Sequence, residues 1–149
     1  MGSPDFDPAV RGSFVGLDAA HGPQDLARGV VLGNALELRR IFEAMGSGTS
    51  RRRVTITGGE TRSRDLVQTL ADISGFTLRV SSTHHATLLG AALLAWTGTG
   101  RFQTLRHAVR ACVGLPKMLV SPRTKPSQRD KLYARYVSHV DAIRRTAHA

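Results

Sequence analysis

Cysteine is almost absent: Cys112 is the only one in 149 residues, which excludes an internal disulfide and any cysteine-built zinc cluster and suits a reducing compartment. Long apolar runs are missing as well. The longest, Ala86 to Trp96, is broken by Thr87 and falls short of the roughly 20 residues that a membrane-crossing helix needs. The first fourteen residues contain no apolar stretch of the kind a secretory signal requires, so a cytoplasmic protein without a membrane partner is expected. Neither a Walker A lysine motif nor a G-x-G-x-x-G fingerprint is present. Aromatic residues make up only 5% of the chain, and acidic residues are few beside basic ones, 11 against 21.

What is present fits one ordinary globular domain, with 41% hydrophobic residues and enough length to bury a core. The formal charge of +10 is unevenly placed. The first fifty residues hold four arginines against six carboxylates, and the rest hold seventeen basic side chains against five acidic. Such a balance raises nucleic acid or an acidic partner as a possibility. Eighteen of the basic residues are arginine, however, and apart from Arg39-Arg40, Arg51-Arg52-Arg53 and Arg144-Arg145 they are scattered singly, which describes a solvated surface better than a binding stripe. Nucleic acid is therefore not the expected partner.

Ser13 to Leu17 predicts a short strand after a turn-rich start. Gly22-Pro23 then opens a long amphipathic helix with Leu26, Val30, Val31, Leu38, Ile41, Phe42 and Met45 on its apolar face, stopped by Gly46. Gly29 and Gly33, one turn apart in it, predict close approach of another backbone. Val54 to Thr57 is a second β-branched strand, ended by Gly58-Gly59. Ser63 predicts an N-cap for a helix that carries Leu66, Val67, Leu70, Ala71 and Ile73 inward and closes at Gly75. Phe76 to Val80 is a third strand, Thr83 caps a helix ending at Gly98, and Leu105 to Cys112 is a shorter helix. Ser127 with Asp130 resembles a capping box for a last helix over 126–147. The fold class is α/β with three short strands and about five helices, and a sheet this small reads as part of a larger one.

Among residues that could carry chemistry, Gly58-Gly59 between a strand and a helix start is the strongest signal. It is either a bare turn requiring positive φ or a place where a phosphate or nucleotide approaches the backbone. His84-His85 are adjacent and leave the chain in different directions, which suits a structural role better than chelation. His21 is expected to bond neighbouring backbone, Asp72 to make a structural hydrogen bond, and Tyr133 and Tyr136 to pack at the edge of the core. No serine or cysteine nucleophile with a base, and no pair of carboxylates for acid–base work, stands out.

Together these residues resemble the carboxy-terminal domain of the FGGY carbohydrate kinases, and within it the xylulokinase branch. Pro4, Asp7, Pro8, Arg11, Gly12, Phe14, Gly16 and Leu17 keep the spacing of G-E-R-x-P-x-x-D-P-x-A-R-G-x-F-x-G-L. His21-Gly22-Pro23, Leu26-Ala27-Arg28 and Gly33 match H-G-P-x-x-L-A-R-A-x-x-E-G. Gly58-Gly59, Ser63, Gln68, Ala71-Asp72 and Gly75 match G-G-G-A-[KR]-S-x-x-x-x-Q-x-x-A-D-x-x-G, and Leu89 to Ala92 matches the L-G-A-A helix.

The resemblance implies a partial actin-like, ribonuclease-H-like domain that binds ATP, with Mg2+, through Gly58, Gly59, Glu60 and Ser63, in an enzyme phosphorylating a pentulose or related sugar. Glu60 and Thr61 stand in place of the family's Gly-Ala, Leu32 in place of its glutamate, and His85 in place of a common acidic residue. A carboxylate beside the nucleotide predicts weak or no binding. The resemblance also implies that the sugar pocket, the aspartate base and the phosphate-gripping hairpin belong to sequence before Met1. The chain alone is then expected to be inactive, to take sugar only in a full-length context, and to need a separate amino-terminal half or to self-associate. The alternative is a non-catalytic basic interaction module, marked by salt-sensitive retention on heparin without nucleotide binding.

Overall fold

In the computed structural model, residues 5–46 and 53–148 are described; Pro4 and the pair Arg51-Arg52 lie outside them. Among the described residues five α-helices and three strands follow in the order α1 (Pro23–Ala44), β1 (Arg53–Ile56), a 3-10 turn (Gly59–Arg62), α2 (Arg64–Ser74), β2 (Thr77–Val80), α3 (Ala86–Gly98), α4 (Leu105–Cys112), β3 (Met118–Val120) and α5 (Pro126–Ala147). The sheet order is β1-β2-β3. β1 and β2 are parallel, joined through α2, with Val54 opposite Leu78 and Ile56 opposite Val80. β3 runs antiparallel on the other side of β2, with Val120 opposite Leu78.

Alternation along the strands sets the sheet's two faces. Leu78, Val80 and Val120 are buried with Val67 and Ala71 of α2, and Val54, Ile56 and Met118 pack against them. Arg53, Thr55, Arg79 and Leu119 are exposed and alternate with those residues, so among the described residues nothing covers the opposite face. α2 also serves a second core, in which its Ile73 joins Ala35 and Leu36 of α1, with Leu132, Tyr133 and Tyr136 of α5 packed around them.

α2 forms where its local chemistry dictates. The Ser63 hydroxyl oxygen accepts from the Leu66 N–H at 3.3 Å, Asp65 sits in the positive first turn, and Gly75 at φ +76° takes the left-handed residue that ends it. At the start of α1 the Gly22 N–H donates to Asp25 Oδ2 at 3.0 Å, with Pro23 in the first turn.

Four local expectations are corrected. Ser13 to Leu17 is not a strand, because pairing requires a neighbouring backbone and, among the described residues, none lies beside it. The third strand is instead Met118–Val120. Gly29 admits a side chain rather than a backbone: the Phe14 ring comes within 3.4 Å of where a Cβ would stand, and Gly33 has nothing that close. Helix α3 is capped at His85, not Thr83, whose hydroxyl accepts from the His85 N–H at 3.2 Å before the helix begins. Ser127 does not cap α5; Pro126 already lies in its first turn and Lys125 is the N-cap.

An ionic network ties the amino-terminal segment to α1 and α5. Arg40 bonds Glu37 at 2.8 Å and also meets Asp5; Tyr136 Oη donates to Glu37 Oε2 at 2.6 Å, and Arg144 stands 3.4 Å from Asp5. Burial opposes ionisation of Glu37, yet the hydrogen bonds from Arg40 and Tyr136 outweigh it and hold its carboxyl below the ordinary 4.5. The hydrogen bond from His148 similarly draws Asp7 below its ordinary value. A carboxyl depressed in the folded chain stabilises it above the unfolded value, and that stability is lost as pH falls through the folded value. The melting temperature is therefore expected to drop as pH is lowered below about 4.5, and Arg40→Gln to flatten that drop while costing about 1–2 kcal/mol at neutral pH. A variant melting like the parent at pH 7 would show that the network contributes nothing.

Candidate functional site

Parallel strands β1 and β2 end side by side, and the turns leaving them are bonded to each other. The Ser81 N–H donates to the Ile56 carbonyl at 2.9 Å, and Thr57 Oγ1 donates to the Thr83 carbonyl at 2.7 Å. Ligands of open α/β sheets bind beyond such carboxyl ends. Gly58 follows at φ +114°, backbone that an L side chain rarely adopts, and the 3-10 turn then leads into α2.

Thr61 locks this turn. Its N–H and its hydroxyl both donate to the Gly58 carbonyl, the hydroxyl at 2.6 Å, and His84 Nδ1 lies 2.9 Å from Thr61 Oγ1. Because the hydroxyl proton is committed to Gly58, the Thr61 oxygen accepts from His84 Nδ1–H, leaving Nε2 as the outer nitrogen. His84 is thus a structural residue of the turn.

The four residues expected at a nucleotide site stand together along this segment. A Cβ on Gly58 or Gly59 would meet nothing within 4 Å, so the space above the turn is open. Glu60 is exposed on the 3-10 turn, and Ser63 caps α2. Two depressions flank the turn. One, of about 730 Å3, lies between α1 and α2 and is lined by Arg28, Gly29 and Leu32 on one side and Ser63, Asp65 and Leu66 on the other. Its polar character is mixed, since Arg28 pairs with Asp25 at 3.6 Å. The other, of about 430 Å3, is lined by Thr61, Arg62, Arg64, His84 and Lys117, with no carboxylate among its lining residues.

Of the four expected residues only Ser63 lines either depression. Arg62, Arg64 and Lys117 were not singled out from the sequence. Lys117 in particular reaches the turn only because β3 runs antiparallel to β2, a pairing that no local pattern announces. Asp72 is structural, its Oδ1 accepting from the Arg123 and Thr124 N–H groups and from Gln68. His21 Nδ1 is bonded within its own loop by Asp18. Tyr133 lies under Arg39, whose guanidinium carbon is 4.3 Å from the ring centre. Among the described residues no group of three or more His, Cys, Asp or Glu side chains could hold a metal ion, and no helix is long and apolar enough to cross a membrane.

Comparison with known proteins gives a consistent result. The sequence model for the FGGY family of carbohydrate kinases, C-terminal domain, matches residues 1–99. A xylulose kinase of Staphylococcus epidermidis is 30% identical over 95% of this chain and 28% of its own length. A glycerol kinase of Rhodospirillum rubrum is 32% identical over 99% of the chain and 29% of its own length. Among solved structures, ligand-bound xylulose kinase from Lactobacillus acidophilus superposes with a TM-score of 0.77 at 25% identity, over 95% of this chain and 29% of that one. Plasmodium falciparum glycerol kinase with ADP superposes with a TM-score of 0.76 at 21% identity, over 95% and 28%. The chain thus spans under a third of the length of these relatives, and its fold is the actin-like α/β fold they share.

Proposed function

The chain belongs to the FGGY family of carbohydrate kinases, and from that premise we propose that it is the nucleotide-side portion of a xylulokinase-like enzyme. Its reaction in that reading is transfer of the γ-phosphoryl group of ATP to a hydroxyl of a pentulose or related polyol in the cytoplasm. The observation that carries the proposal is the open space above Gly58 and Gly59, at the carboxyl end of β1 and directly before α2. Such space lets a ribose or ring lie against backbone, and the adjoining groove between α1 and α2 continues it past Ser63. The glycerol kinase that superposes on this chain was solved with ADP, which supports an adenosine ligand here. Mg2+ accompanies the phosphates of ATP when bound, and none of this chain's residues is assigned to it.

The turn's residues divide the work. Gly59 leaves room for the adenosine, Ser63 caps the helix that faces it, and Glu60 places a negative charge near the phosphates. Calorimetry with ATP and ADP tests the placement. Gly59 has neither positive φ nor a neighbour within 4 Å, so valine there is tolerated by the fold and a loss of affinity reports the occupied space. Gly59→Val is expected to weaken binding about tenfold or more, and Glu60→Gly to tighten it a few-fold by removing the repulsion. Unchanged affinity in both variants would place the adenosine elsewhere.

A further inference from the structure

The two turns that leave the parallel strands are joined by a closed circuit of hydrogen bonds built of hydroxyls, carbonyls and one imidazole. Thr57 Oγ1 donates to the Thr83 carbonyl at 2.7 Å. From the next residue, His84 Nδ1–H returns to Thr61 Oγ1 at 2.9 Å, and that hydroxyl donates to the Gly58 carbonyl at 2.6 Å, one residue from where the circuit began. The turn after β2 is itself held from within: Ser81 Oγ accepts from the Thr83 N–H and Thr83 Oγ1 from the His85 N–H, each at 3.2 Å, so a fixed loop presents His84. Thr61 is buried and His84 half-buried, which limits competition from water for these bonds.

What the circuit holds is Gly58-Gly59. Two successive glycines have more backbone freedom than any other pair, and left to themselves they spread over many conformations. Here the Thr61 N–H and hydroxyl both fix the Gly58 carbonyl into the 3-10 turn, with Gly58 kept at φ +114° and the space above both glycines open. The family pattern has alanine where this chain has Thr61, and alanine has no hydroxyl to close the circuit. We infer that Thr61 and His84 are positioning residues for the nucleotide, acting through the Gly58-Gly59 turn, whose open conformation they keep populated. A turn that is open in only a fraction of molecules binds its ligand with an affinity reduced by that fraction. The inference rests on the proposed function, because it takes adenosine to lie against this turn.

Heteronuclear NMR of the whole chain, titrated with ADP and followed at the Gly59 amide, tests it. In the ligand-free parent, neutral His84 is expected to carry its proton on Nδ1. Thr61→Val keeps the side-chain shape without the hydroxyl, and His84→Phe keeps a ring without the donor. Each is expected to weaken ADP binding about three- to tenfold, since a lost hydrogen bond shifts a local equilibrium by a factor of roughly two to ten. Thr61→Ser, and His84→Asn with its amide nitrogen in place of Nδ1, are expected to recover most of the loss. The N–H of residue 61 is expected to exchange with solvent at least several-fold faster in Thr61→Val, with the Val67 and Ala71 amides of α2 unchanged. Val120→Ala is the control: it lowers the melting temperature from a core site on β3 and is expected to bind ADP like the parent. The inference is overturned if the folded Thr61→Val and His84→Phe variants bind as tightly as the parent, if Val120→Ala loses as much affinity as they do, or if the serine and asparagine variants recover nothing. It is overturned also if the His84 proton resides on Nε2, a reading made on the parent and therefore independent of whether any variant folds. A parent that binds no ADP overturns the proposed function and this inference together, whereas a binding parent with unaltered variants overturns this inference alone.

Discussion

No phosphorylated sugar is expected when the purified 149-residue chain is incubated with ATP, Mg2+ and xylulose, ribulose or glycerol. Phosphoryl transfer asks the protein mainly to hold acceptor and donor in line and to stabilise developing charge. Holding two reactants in place is worth on the order of five to eight powers of ten in effective concentration, so a chain that binds the donor alone forgoes nearly all of the acceleration. The described residues around the Gly58 turn offer arginines, a lysine and a threonine-bound histidine, and Glu60 and Asp65 are exposed rather than gathered around an acceptor pocket. The xylulose and glycerol kinases that it matches are more than three times as long as this chain. Mass spectrometry of the reaction mixture against an enzyme-free blank decides it. Sugar phosphate above the blank from homogeneous protein would mean that this chain holds both substrates, and the nucleotide-side assignment would have to be abandoned.

Parts of the molecule governed by contacts a few residues apart were legible in the sequence. Ser63 caps α2 and Gly75 ends it because the hydrogen bonds concerned span three or four residues. The α4 boundaries and the opening of α1 at Gly22-Pro23 have the same local origin. Strand identity was not local in this way. Ser13 to Leu17 has suitable residues, yet a strand exists only with a partner, and Phe14 instead lays its ring against Gly29. Met118–Val120 is three residues long between Pro116 and Pro122, too short to show alternation, and β2 alone makes it a strand. At the site the glycine turn and the helix cap were readable as a pattern. The Thr61–His84 hydrogen bond and the arrival of Lys117 were not, since both depend on which strand ends meet.

The same dependence locates a sensitive core position at Leu78. Leu78→Ala is expected to cost about 2–5 kcal/mol, a large share of the roughly 5–15 kcal/mol that holds a domain together. Leu78 lies on the middle strand, is 1% exposed, and stands opposite Val54 on one neighbour and Val120 on the other. α2 covers it with Val67 and Ala71, both fully buried. Alanine would leave a void under the middle strand, and β2, held by hydrogen bonds on both sides, cannot shift to fill it. Leu119 provides the control. It belongs to the adjacent strand β3 but points to the bare face, 63% exposed, so Leu119→Ala is expected to change stability by no more than about 0.5 kcal/mol. Urea denaturation of the two variants at matched concentration separates the faces of the sheet. Equal losses in both would contradict the assignment of Leu78 to the covered face and Leu119 to the open one, and with it the placement of α2 as the only layer that protects the sheet among the described residues.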